Sequence, residues 1–347
     1  MRRFTLSLVA LFALTVCAIA QTLTTTDAVL VYYMPKTILA FDVTYTQTTR
    51  TQGPFYQYAE RYLGTKDIVM ADETVYELKD ITVRTKTVAD PDRAYKLTPS
   101  GNQKSNIILD KQGLLVAYNA EPEAQKEEKV FNSDSQPKGR KAESALAPLS
   151  EEALFASSKA KMAEAAAKQI YRIREMRLNL LAGEVDKAPA DGEALQHMLQ
   201  EMDRREQELT ALFVGRRTVI HHKHLITYTP KSAAVKKEEC ILFRFSKYYG
   251  VVANDDLSGE PVKLKMSKTV HQLVTPDKPS KKADASLYYN LPGQGDLIIT
   301  YGDRELVNHP IDVAQWGVSV PLSSTLMLDT PKITFCPLTG AIESIEK

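Results

Sequence analysis

The chain has 347 residues, 44% of them apolar, with 16 Tyr and 10 Phe, and it carries 44 Lys and Arg against 43 Asp and Glu. That apolar and aromatic content belongs to a folded protein and excludes a chain that is disordered throughout. A formal charge of +1 supplies no overall field for DNA, RNA or an anionic lipid surface, so no nucleic-acid partner is expected.

The N-terminus has the layout of a secretory signal. Arg2 and Arg3 precede an apolar run from Leu6 to Ile19, and Ala18-Ile19-Ala20 places small residues where a signal peptidase needs them. A helix of about 14 residues spans about 21 Å, short of the roughly 30 Å hydrocarbon core of a bilayer, so no transmembrane segment is expected in the mature chain. Residues 1–20 are therefore read as a signal peptide cleaved between Ala20 and Gln21, and the protein as exported, periplasmic or associated with the outer membrane. Loss of Arg2 and Arg3 takes the formal charge from +1 to −1. Cys17 carries the alternative of a lipoprotein, which its neighbour Val16 disfavours because lipoprotein processing prefers a small residue there.

From Val29 to Tyr118 the apolar period is mostly two, which predicts that residues 21–118 form a β-rich N-terminal part. Leu39, Phe41, Val43 and Tyr45 alternate with smaller or polar residues over Thr37–Thr49. Further strands are expected over Val29–Tyr33, Val75–Thr87, Tyr95–Thr98, Asn106–Leu109 and Leu114–Tyr118. Between them, Gly53-Pro54 and Gly64 bracket Phe55, Tyr58, Ala59 and Tyr62 at helical spacing, which predicts a short helix packed on the sheet.

Residues 119–149 are rich in Glu, Lys, Gln, Ser and Pro, the composition of a charged, flexible linker. A helical hairpin insertion is expected over 150–215. Ser150-Glu151-Glu152 resembles a helix N-cap, and Ile170, Ile173, Met176, Leu180 and Leu181 form one apolar stripe that ends at Gly183. A loop through Pro189-Ala190-Asp191-Gly192 leads to a second stripe of Leu195, Met198, Leu199, Met202, Leu209, Leu212 and Phe213, closed by Gly215. Two long helices joined by a short loop pair antiparallel.

Beta patterning resumes over Thr218–Thr229 and Cys240–Tyr248, so 216–275 is expected to complete the N-terminal domain. A Pro, Lys and Asp stretch, Thr275–Asp284, reads as a second linker. Residues 285–347 read as a C-terminal domain of short antiparallel strands, with turns at Pro292-Gly293 and Gly302-Asp303, suggesting a small sandwich. The fold class expected is α+β: a β-rich body of antiparallel sheets, an inserted antiparallel helical hairpin and a small C-terminal β-sandwich-like domain.

Among residues able to do chemistry, His222 and His224 would share one face of a strand, close enough to hold a metal with a third ligand. The alternation Ile220, His222, His224, Ile226 is equally a half-exposed strand face, and no metal or other cofactor is expected. Asn254–Gly259 and Asp191-Gly192-Glu193 lack the regular oxygen ligands of a calcium loop and are explained by turn chemistry. No Gly-x-Ser-x-Gly, His-Glu-x-x-His or phosphate-loop pattern occurs. After processing, Cys240 and Cys336 remain, both in apolar, strand-like settings; an oxidising compartment permits a disulfide between them, the alternative being two buried thiols. Tyr56, Tyr58 and Tyr62 could form a sugar- or peptide-binding platform, or the edge of a core.

The chain also resembles a family of uncharacterised exported proteins of Bacteroidetes known as a domain of unknown function. The resemblance rests on Tyr33-Met-Pro-Lys-Thr37, the Gly53–Gly64 and Ile170–Gly183 segments, Asp191-Gly192, Leu212-Phe-Val-Gly215, Phe243-Arg-Phe-Ser246, Asp256-Leu-Ser-Gly-Glu-Pro261 and Ala314-Gln-Trp-Gly317. It implies export and a Gram-negative envelope location, and it brings no activity or catalytic residue. The function expected is a non-enzymatic envelope protein that acts through a protein partner, with the hairpin projecting from the β body. The alternatives are a carbohydrate-active or metal-assisted hydrolase, with paired carboxylates or the two histidines, and a glycan-binding module.

Overall fold

A computed structural model describes residues 30–97, 106–121, 158–184, 192–231, 237–269, 287–323 and 331–346, with isolated positions 149, 151 and 155. Cys17, Ala20, Gln21 and the whole signal segment lie outside the described residues, as do the 275–284 stretch and nearly all of 119–149.

The strand candidates on either side of Met34 run on as one. β1 (Leu30–Thr51) has 22 residues, and β2 (Glu73–Leu97), with 25, pairs antiparallel along its length, from Leu30 opposite Leu97 to Arg50 opposite Glu73. The periodicity of β2 reads as two strands because Pro91-Asp92-Arg93 bulges out where Met34 faces Asp90 and Tyr33 faces Ala94. Pro35 does not break β1. It shares parity with Thr37, whose N–H bonds away from β2, and β5 (Arg216–Tyr228) flanks that side only from Leu39 onward, so the missing N–H removes no ladder bond.

Three antiparallel sheets result. The first is β2-β1-β5. The second, β10-β9-β8-β6-β7, comprises β6 (Lys237–Ser246), β7 (Gly250–Val252), β8 (Glu260–Lys268), β9 (Tyr288–Tyr301) and β10 (Arg304–Pro321). The third, β12-β11-β4-β3, comprises β3 (Ile107–Leu109), β4 (Leu115–Tyr118), β11 (Lys332–Phe335) and β12 (Ile342–Glu346). The fold is β-rich α+β, as its patterning predicts. The C-terminal strands do not close on themselves, however: β9 hydrogen-bonds to β8, and β11 to β4. Strand pairing thus crosses the expected 275–285 boundary, because an exposed edge of β8 is completed by β9 rather than left open.

The three sheets enclose two cores. Leu39, Phe41 and Val43 of β1 pack with Phe243, Phe245, Leu264, Met266, Ile299 and Trp316 between the first two sheets. The first half of β1 enters another core, with Tyr32 and Met34 against Leu115, Leu287, Ile333 and Phe335. There Tyr95 stacks between Tyr32 and Tyr288, at centroid distances of 5.9 and 4.8 Å.

What joins these sheets is a bulge in β10. Val313 faces Gly293 and Val318 faces Leu291, so Ala314-Gln315-Trp316-Gly317 leaves the β9 ladder. Pro292-Gly293, expected as a turn, therefore lies inside β9, where glycines make room for the bulge. A Cβ at Gly295 would stand 2.5 Å from the Trp316 ring, and one at Gly317 only 1.8 Å from the Leu291 carbonyl oxygen. Freed from the ladder, Gln315 reaches β1. Thr37 N donates to its Oε1 (2.8 Å), and its Nε2 donates to the carbonyls of Thr37 (3.0 Å) and Pro230 (3.1 Å). The side-chain amide thus takes the place that β5 leaves empty beyond Tyr228. Ala314 N donates to Thr37 Oγ1 at 2.8 Å, and Trp316 Nε1 donates to Lys231 O at 2.8 Å.

A second clasp lies one turn of the pleat away. The Arg93 guanidinium, carried by the β2 bulge, donates to Asp90, to Asn290 Oδ1 (3.1 Å) and to Pro35 O (2.6 Å). Asn290, fully buried, donates onward to Ala314 O and Thr339 O at 3.0 and 2.7 Å.

Gln315→Glu keeps the shape of that side chain but replaces a donor to two carbonyls with a carboxylate. It should destabilise the protein by about 3 kcal/mol. Urea unfolding followed by fluorescence of Trp316, the single tryptophan, measures the loss, and an unchanged midpoint would contradict the clasp.

Candidate functional site: the outer half of the helical hairpin

The expected hairpin consists of α2 (Lys159–Ala182) and α3 (Gly192–Val214), preceded in the chain by a 3-10 turn (Tyr56–Tyr58) running into α1 (Ala59–Leu63). The N-cap of α2 is Ser158, whose hydroxyl accepts from Lys161 N at 3.3 Å, and not the expected Ser150, which lies outside the described residues. Gly183, at φ 73°, ends α2 with its N–H shared between Asn179 O and Leu180 O.

The base of the hairpin has its own core. Ala163, Ala166, Ala167 and Ile170 of α2 pack with Leu209, Leu212 and Phe213 of α3 on Phe55 and Ala59. Alanines on α2 let it approach these rings closely. The short helix thus packs on the hairpin, not on the sheet as its stripe suggests. Two carbonyls that the end of α3 leaves without helical partners are taken by this segment: Leu212 O accepts from Phe55 N and Val214 O from Val69 N, each at 2.8 Å. A Cβ at Gly53 would stand 2.4 Å from Leu212 O, so only glycine allows this approach.

Tyr58 and Tyr62 are half-buried at this base. Tyr62 meets the Phe213 ring at a centroid distance of 6.5 Å, and its carbonyl accepts from Tyr171 OH at 2.7 Å. Tyr56, also half-buried, accepts a hydrogen bond from Gln57.

Beyond the base, the packing changes. Of α2 residues after Ile170 only Leu180 is buried, and of α3 residues before Leu209 none is. Where the apolar stripes would meet, there is an ionic cluster instead. Arg174 Nε donates to Glu206 Oε1 at 2.6 Å, while Arg177 Nη2 donates to Glu206 Oε2 and pairs with Asp203 at 2.8 Å. Glu206 lies four residues after Met202 and three before Leu209, a seam position filled by a charge. Burial pushes the Glu206 carboxyl up, but the hydrogen bonds from Arg174 and Arg177 outweigh it and hold the group below its ordinary value.

This arrangement leaves apolar side chains in solvent. Leu178 is 67% exposed, Leu181 64%, Tyr171 50% and Met176 48%, and Met198 on α3 is 39% exposed. Met176, Leu181 and Met198 were expected inside the seam; the ionic cluster occupies it. Tyr171 and Leu178, seven residues apart, fall on one stripe of α2. The two helices also differ in charge. α2 carries six Lys and Arg against two Asp and Glu, and α3 five Asp and Glu against two Arg.

The other candidate residues are engaged within the β body. His222 stacks on Tyr45 at 4.9 Å, with Nε2 2.8 Å from Gln47 Oε1. His224 is exposed two residues further along β5, and among the described residues no three His, Cys, Asp or Glu side chains come together as a metal would require. Cys240 and Cys336 are free, half-buried thiols in different sheets, one on β6 and one just after β11. Burial pushes the Cys240 thiol up, against a hydrogen bond with Tyr228. Sequence patterning passes over Tyr228 and Glu238, which clasp the ends of the β5–β6 connection. The phenol donates to buried Glu238, which also accepts from Lys231 N at 3.1 Å, and burial holds Tyr228 protonated far above its usual range. Tyr248 and Tyr249, 61% and 69% exposed, flank the β6–β7 turn.

Taken together, the described chain is a β-rich body bearing a two-helix arm whose outer half is unfinished as a core. Residues 29–343 match the family described as Domain of unknown function (DUF4831), and the chain belongs to that family. No curated protein and no solved structure matches it. Among the described residues no helix is long and apolar enough to cross a membrane.

The Glu206 cluster makes the arm acid-sensitive. A carboxyl held low in the folded state contributes stability that is present above its unfolded value of 4.5 and lost as pH falls through the folded value. Thermal unfolding followed by helical circular dichroism should fall more steeply below that pH in the native protein than in Glu206→Gln. Equal slopes would contradict it.

Proposed function

We propose that this is an exported protein of the bacterial cell envelope that works by binding, with the outer half of the hairpin as its contact surface. The observation that carries this reading is the exposure of Leu178, Leu181, Met176 and Met198 on one arm. Large apolar side chains gathered on one exposed element mark a surface that another molecule covers. The partner is a protein and not a lipid surface: exposed Glu175, Glu193 and Glu201 stand among these side chains together with exposed Arg172, whereas membrane-surface helices carry a basic polar face. The N-terminal signal pattern, with cleavage after Ala20, and the family resemblance support export.

A photo-crosslinking residue at position 178 should give a covalent protein adduct in the cells that make this protein, and the same residue at Leu257 of the β body, which is still more exposed, should not. No adduct at 178 would contradict the reading. Intact mass of the purified native protein should correspond to residues 21–347, with Gln21 as pyroglutamate. Retention of residues 1–20 would contradict cleavage, and an acylated Cys17 would mean a lipoprotein.

A further inference from the structure

We infer that the free edge of β5 is a contact site separate from the hairpin, one that takes an extended acidic segment of a partner protein as an added antiparallel strand.

β5 closes the first sheet on one side, and among the described residues no strand pairs with its other edge. The parity of the ladder decides which backbone groups that edge offers. Thr37 N points to the β5 side of β1, and Leu39, Phe41, Val43 and Tyr45 share its parity. Their partners Tyr228, Ile226, His224 and His222 therefore direct their N–H and C=O groups to β1. Those of Arg217, Val219, His221, Lys223, Leu225 and Thr227 point to the open side. The side chains of these six share one face, turned away from the core that Phe41 and Val43 enter, and all six residues are exposed.

Long edges are ordinarily blunted by a proline, a bulge or mixed charge. The outer edge of β2 has all three: the Pro91-Asp92-Arg93 bulge, and Glu77, Lys79, Asp80 and Arg84 along its course. β5 runs 13 residues without a proline, and its register with β1 holds without a bulge.

Charge then selects what this edge accepts. β5 carries Arg216, Arg217, Lys223 and three histidines, and no acidic residue. A second β5 would set cation against cation, so the edge disfavours a copy of itself. Arg217 lies directly opposite Arg50, which is paired with Glu73, and it makes no ion pair among the described residues. Lys223 stands 3.6 Å from Asp42, a carboxylate that Arg84 already holds at 2.6 Å. On the same face Val219 is 45% exposed and Leu225 41%. The matching strand reads with period two: acidic opposite Arg217 and Lys223, apolar opposite Val219 and Leu225. Backbone pairing supplies affinity and these side chains supply selectivity. An antiparallel course matches both ladders of this sheet.

Fluorescence anisotropy of a labelled peptide, Val-Thr-Glu-Thr-Thr-Thr-Val-Thr-Glu, titrated with residues 21–347 tests this. Saturable binding is expected, weakened severalfold between low and high salt because the charges are screened. Replacing both Glu of the peptide with Lys should weaken it at least tenfold, and Arg217→Glu with Lys223→Glu should reverse that preference. Methylation of the Val and Glu amide nitrogens, which would face β5, should cost at least tenfold, whereas methylation of the Thr amides should not. His221→Pro removes an outward N–H and no bond to β1, so it should weaken binding at least tenfold and leave the urea midpoint read by Trp316 nearly unchanged. A peptide that fails to bind up to millimolar concentration overturns the inference. So does binding indifferent to the charges or to which amides are methylated. None of these measurements involves the hairpin, so their failure leaves the surface around position 178 standing, and the absence of a crosslink there leaves the β5 edge standing.

Discussion

Thr37 and Gln315 meet across 278 residues of chain, and the rest of the β body depends on that meeting. β1 is flanked by two strands from Leu39 onward but by one strand before it. A strand that loses a neighbour in mid-course exposes a backbone donor and acceptor in what is otherwise core, and a buried unpaired group costs on the order of 1–3 kcal/mol. The Gln315 amide supplies an acceptor and a donor in one plane, as a peptide group of a missing strand would. It can do so only because β10 bulges there, and the bulge fits only because residues 295 and 317 lack a Cβ. A single backbone requirement on β1 therefore reaches to glycines in β9 and β10.

Length gives β1 this central place. At roughly 3.3 Å per residue its 22 residues span about 70 Å, more than one sheet sandwich needs. Its first half serves the small C-terminal sheet, its middle the main sandwich, and its end leads into the segment that closes the base of the hairpin. The core of that hairpin shares no residue with the other two. The arm is fastened by backbone bonds at its foot and stabilised by its own packing. Its outer half is held by ion pairs that leave apolar side chains facing solvent. A separately built arm that leaves large apolar side chains in solvent suits contact with another molecule.

Much of this was legible in the residues. Period-two alternation in Leu39–Tyr45 located the middle of β1, and the α2 and α3 stripes with Gly183 and Gly215 located the hairpin, because side-chain periods report local geometry directly. The same reasoning misplaced Met176, Leu181 and Met198, which a stripe counts as buried. A stripe records polarity along one helix, whereas burial depends on what stands opposite, and here that is Glu206 with its arginines. Pro35 and Pro292-Gly293 read as breaks for a similar reason: whether a missing N–H or a missing Cβ interrupts a strand is decided by the neighbour on that side.

The amino-acid sequence by itself determined the β-rich α+β class, the two long helices and the turn at Gly302, since each depends on residues close together in the chain. Tertiary structure alone decided that β9 extends the sheet of β8, that β11 joins β4, that His222 lies against Tyr45 and that Leu178 faces water. These depend on pairs such as Thr37 with Ala314 and Tyr32 with Tyr288, separated by 277 and 256 residues. A strand edge can accept any strand of suitable period. Which one it takes is settled by the free energy of the whole packed assembly, and no local pattern records that.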